Sequence, residues 1–183
     1  MPEAGPLRQQ LEFLLNGFSF YSRREQVSAD DLLVRERAAA ELGAATGALR
    51  ELASAYRRRF IPDPSREQPL PPAGALAGLR AVESLRAEVA DAGVRVRGQV
   101  LPALDRTWAR LRTHKAALEL ALEFDRGLIQ DAAAVRDACQ RLGPGDLGPD
   151  PGAEPAALAP VRLALAALER TLLARAAHLT AQP

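Results

Sequence analysis

The chain has 183 residues, 48% of them hydrophobic, and 24 basic side chains against 23 acidic ones. That length supports one domain with its own core. The even charge balance argues against a dedicated nucleic-acid coat or a binder of acidic substrates. A single cysteine, Cys139, leaves no internal disulfide to form, and no run approaches the roughly 18 apolar residues of a membrane span.

An intracellular, reducing, cytoplasmic setting is therefore expected. The N-terminus offers no convincing signal peptide, because Glu3, Arg8, Glu12 and Asn16 interrupt any apolar stretch. Ala and Leu dominate and aromatic residues are scarce, which favours helix over sheet. All basic residues but Lys115 are arginine. With the abundant Ala, Gly and Pro, this reads first as GC-rich coding, and only second as selection for bidentate contacts.

The first predicted helix covers residues 6–26. Leu7, Leu11, Leu14, Leu15 and Phe18 form one stripe, Pro6 suits a first turn, and Gly17 weakens the middle. A second helix covers 28–61, with Ser28 as its N-cap and Asp30 and Asp31 complementing the dipole in the first turn. Its seam is Ala38, Leu42, Ala45, Leu49, Leu52 and Tyr56. Arg57, Arg58 and Arg59 fill its last turn before Pro62 stops it. A proline-rich linker follows over 62–74.

Helical periodicity then runs almost unbroken from 75 to 142. One helix of that span would be roughly 100 Å long. A break is expected around Gly93, Gly98 and Pro102, giving helices over 75–98 and 102–142. Within it, VRVRGQV (94–100) alternates like a strand but has no partner run, so helix, bend or short strand stay open there. A second linker spans 143–154. The last helix, 155–180, carries Leu158, Val161, Leu165, Leu168, Leu172, Ala176 and Leu179. The expected fold is all-α: a single domain over 1–183, built as an antiparallel bundle of about five helices, some coiled-coil-like, with two Pro/Gly-rich linkers.

The motifs of catalysis are missing. There are two histidines, His114 and His178, and no Glu-x-x-His, His-Glu-x-x-His, Cys-x-x-Cys or glycine-rich phosphate loop. Glu119 and Glu123 with nearby Asp125 form the best carboxylate cluster, and surface pairing with Arg112 and Lys115 accounts for it. Cys139 sits on the seam and reads as a small buried hydrophobe. No enzyme, no cofactor and no metal are expected.

Two features could carry function. Half of the chain's eight aromatics, Phe13, Phe18, Phe20 and Tyr21, lie in the first helix with Arg23 and Arg24 beside them. Three of the four fall partly off the stripe, so they are buried either in the bundle's own core or against another protein. The second feature is a basic surface: Arg57, Arg58, Arg59, Arg95, Arg97, Arg106, Arg110, Arg112 and Lys115, able to meet phosphates. The leading expectation is a non-enzymatic scaffold, adaptor or small subunit acting through protein–protein contact, self-association included. The alternative is a nucleic-acid-associated bundle using the arginines.

Overall fold

The computed structural model describes residues 5–14, 27–64, 66, 70–99, 109, 114–150 and 155–180. Six α-helices occur among them: α1 Gly5–Leu14, α2 Val27–Phe60, α3 Ala73–Gly98, α4 Lys115–Gln140, the single turn α5 Pro144–Leu147, and α6 Ala159–Thr180. A 3₁₀ turn, Ala156–Leu158, leads into α6. The described residues contain no strand, and the helices pack on one another as the expected all-α bundle.

The seam residues foreseen on α2, Ala38, Leu42, Ala45, Leu49, Leu52 and Tyr56, are all buried. So are Val82, Leu85, Val89, Ala92 and Val96 on α3, and Leu118, Leu122, Ile129, Ala132, Val135 and Cys139 on α4. Each helix thus loses one apolar stripe to a common core, the main driving term for a bundle.

Side-chain pairs fix the helix directions. Arg97 at the end of α3 meets Glu36 near the start of α2 at 3.6 Å, so α2 and α3 are antiparallel. Thr171 on α6 donates to Asp131 on α4 (2.6 Å) and His178 meets the Ala117 carbonyl, so α4 and α6 are antiparallel too. The two hairpins sit side by side with α2 against α4, and these neighbours run parallel: Glu41 pairs with Arg136 and Asp31 lies level with Asp125. Of the adjacent long-helix pairs, α3 and α6 touch least. One end of the bundle, the near end, therefore holds the start of α2, the end of α3, the start of α4 and the end of α6.

Several boundaries differ from the sequence reading. The predicted helix 102–142 is not continuous. His114 is extended (φ −116°, ψ 103°), and its carbonyl accepts from the amides of Ala117 and Leu118 to open α4. Running from 102 to 142, that helix would be about 60 Å long and would outreach its neighbours, leaving its stripe unburied. Residues 102–108 and 110–113 lie outside the described residues. Of the strand-like run 94–100, residues 94–98 are helical, with Val96 buried and Val94 exposed, Gln99 caps the helix and Val100 lies outside the described residues. Ser28 lies inside the first turn rather than before it, because α2 begins at Val27.

The expected linker 143–154 contains α5, whose Leu147 is buried. There the Gly143 amide donates to the Asp146 carboxylate (2.7 Å), and Gly148 ends the turn at φ +71°, where a side chain would be strained. This loop also reaches α3. Any side chain at Gly74 would run into the Asp150 carboxylate. That carboxylate lies at a helix start whose N-cap, Pro72, supplies no capping side chain, and its charge complements the exposed amides.

Candidate interaction surfaces and a buried ionic layer

Helix α1 lies outside the four long helices and leans on α4. Leu11 is fully buried and Leu14 partly so, while Arg126 of α4 donates to the Gln10 side chain at 2.9 Å. Phe13, two residues from Leu11 and so about 200° round the helix, points away and is 85% exposed. Beside it runs a groove of about 380 Å³ lined by Gln9, Gln10, Phe13, Leu14 and Gln130, with no charged residue. Of the candidate interface, Phe13 alone can be placed. Phe18, Phe20, Tyr21, Arg23 and Arg24 lie outside the described residues.

Among the described residues, the members of the candidate basic surface do not come together. Arg57, Arg58 and Arg59 end α2, whereas Arg97 pairs with Glu36, about 30 Å away along the same helix. Arg95 pairs across helices with Glu169 of α6 at 2.5 Å. Arg59 lies over the Phe60 ring at 5.2 Å and close to Gly145. Arg106, Arg110 and Arg112 lie outside the described residues, as does the side chain of Lys115, the first residue of α4. The pairing of Arg95 and Arg97 has a simple cause: acidic residues occupy facing positions on neighbouring helices.

The near end of the bundle holds what the sequence reading missed. Arg175 is 1% exposed and spans the core. It donates from Nη2 to Asp31 of α2 (2.6 Å), from Nε to Asp125 of α4 (2.8 Å) and from Nη1 to Gln99 at the end of α3 (3.1 Å). Arg35 donates to the other oxygen of Asp31 at 2.8 Å and to the Arg97 carbonyl. Gln99 passes its own amide to the Leu172 carbonyl at 2.8 Å. All four long helices are tied in one polar layer. Two arginines and two aspartates balance in charge, as burial demands. Asp31 is therefore a core residue and not a dipole-complementing surface acid. About three turns further along α2, a second cluster does similar work: buried Glu41 is bracketed by Arg37 (3.0 Å) and Arg136.

The carboxylate cluster dissolves in the same way. Asp125 faces inward to Arg175 while Glu123 is exposed, so Asp125 does not share a face with the Glu119 and Glu123 pair. His114 is an exposed helix cap, and His178 packs against the Phe124 ring at 5.6 Å. Cys139 is a buried free thiol, and burial pushes its pKa up to about 11. Among the described residues, no three His, Cys, Asp or Glu side chains are grouped to hold a metal, and no helix is long and apolar enough to cross a membrane. No family model, curated protein or solved structure matches this chain.

Proposed function

We propose that the protein is a non-enzymatic helical scaffold that works by binding another protein through α1, with Phe13 as the anchor. The observation that carries this reading is the exposure of Phe13 on a helix already docked by its other face. A free aromatic costs the chain solvation and returns nothing to its own core. Next to an uncharged groove, it has the make-up of an interface centre: an aromatic anchor, room for an incoming side chain, and few charges to desolvate. The buried ionic layer supports the same reading, because it gives α4 a fixed partner set and so a rigid platform for α1.

The test is Phe13→Ser in the full chain. Helicity by circular dichroism should stay unchanged, while the assembly formed by wild type, measured by light scattering and by affinity purification from the native cell after nuclease treatment, should weaken at least tenfold. An unfolded variant, or an assembly indifferent to the substitution, removes the reading.

A further inference from the structure

The bundle's arginines are sorted in a way the net charge hides. Across the interior and the lateral faces most are matched, as with Arg35, Arg37, Arg86, Arg95, Arg136 and Arg175, with Arg170 on α6 an isolated exposed exception. On the outer face of the C-terminal half of α2 they are not. Arg50, Arg57 and Arg58 are exposed and have no side-chain partner among the described residues. At 100° per residue these three and Ser54 fall within about 100° of one another, a continuous polar stripe. Arg50, Ser54 and Arg58, together with Glu51 and Ala55, line a shallow groove of about 420 Å³ along α2. Arg80 on the second turn of α3 and Arg141 after α4, also exposed and without a partner among the described residues, occupy the same half of the bundle.

We propose that this stripe, Arg50, Ser54, Arg57 and Arg58, binds the phosphate backbone of nucleic acid without reading its sequence. Charge complementarity names the ligand as an anion, and the make-up of the face selects among anions. A specific protein interface needs an apolar anchor. The large apolar side chain that α2 exposes is Leu32, near its opposite end. Phosphate recognition needs no such anchor. It uses guanidinium forks, hydroxyls and positive potential, all present here. No exposed aromatic on the stripe offers a base a stacking surface, so contact would be with the backbone alone. The surface is separate from the α1 face, and either can fail without the other.

Three arginines neutralising three phosphates predict a salt slope of about −2.7, a fall of about 40-fold in affinity between 50 and 200 mM salt. The experiment is fluorescence anisotropy of the full chain with a labelled 20-base-pair duplex of mixed sequence. The triple variant Arg50→Gln, Arg57→Gln, Arg58→Gln should bind at least tenfold more weakly at 50 mM salt. The control triple Arg86→Gln, Arg95→Gln, Arg170→Gln loses the same charge from exposed positions on other faces and should stay within twofold of wild type. Equal losses in the two triples would reduce the effect to net charge and overturn the proposal. So would polyglutamate of equal charge binding as tightly as the duplex, which would assign the stripe to an acidic protein. If the first triple loses helicity, Arg57→Gln alone decides: its salt slope should be shallower by about one, and an unchanged slope overturns the assignment.

Discussion

Arg175 shows how much one buried side chain can organise. Its guanidinium faces two carboxylates inside the core, and neither carboxylate has water to fall back on. Replacing it with methionine keeps much of its volume and leaves Asp31 and Asp125 without their shared partner. The expected loss is about 3–5 kcal/mol in urea unfolding, against about 0–1 kcal/mol for Arg95→Ala, whose pair with Glu169 is half exposed. Equal losses would mean that water reaches the buried layer. Cys139 makes a second prediction at this scale. Its thiol sits at about 11 in the fold against an ordinary 9, so the native state holds its proton where the unfolded chain has lost it. Stability from this group is complete below pH 9 and drains as pH rises towards 11, by about 2–3 kcal/mol in all. Wild type should therefore weaken in urea between pH 8.5 and 11 more than Cys139→Ala does. Arg175 was readable in principle. Val161, Leu165, Leu168, Leu172, Arg175 and Leu179 step by four and three without a gap, yet apolar Ala176 takes the seam place if charge is assumed to face water. Residue type misled where spacing did not.

Among the elements, α2 and α3 were the most legible, because their stripes are long and end at Pro62 and near Gly98. The start of α4 was not. No proline or glycine marks His114, and the break there answers to the length of neighbouring helices, which local sequence does not carry. α5 was hidden for a different reason. Four residues are too few to show a period, and a Gly/Pro-rich run reads as linker even when Leu147 anchors it. Among the described helices longer than one turn, α1 is held by the least. It touches α4 and is pinned by Leu11. Leu11→Ala should cost about 2–4 kcal/mol at that contact. Because α1 lies outside the bundle, the loss should appear as local release and not global unfolding. In hydrogen exchange, amides of residues 9–14 should lose protection while those of α2, α4 and α6 keep theirs. A uniform loss across all helices would instead place α1 in the cooperative core. The same experiment bears on Phe13, since only a docked α1 presents it as a fixed anchor.

At the scale of the whole molecule, the sequence carries the class of fold but not the arrangement of its helices. Amphipathic stripes of similar width can be packed in several orders, and apolar contacts alone discriminate weakly among them. Here α2 lies beside α4 and runs parallel to it, and the polar layer accepts that order because it joins specific groups on four helices: Asp31, Asp125, Arg175 and Gln99. A swapped order would bury an aspartate without its arginine. The layer therefore acts as a specificity device more than as a source of stability. The decisive variant replaces all four charges at once: Asp31→Leu, Arg35→Met, Asp125→Leu and Arg175→Met. With no charge left unpaired, its urea stability should return to within about 2 kcal/mol of wild type, well above Arg175→Met alone. Its helicity should be unchanged. What it should lose is uniqueness, seen as broadened or doubled side-chain methyl resonances and faster exchange of core amides. If the quadruple variant is as unstable as the single one, the layer stabilises the fold in its own right. If it is stable and keeps one sharp set of resonances, apolar packing already chooses the helix order, and the four charges are not what specifies it.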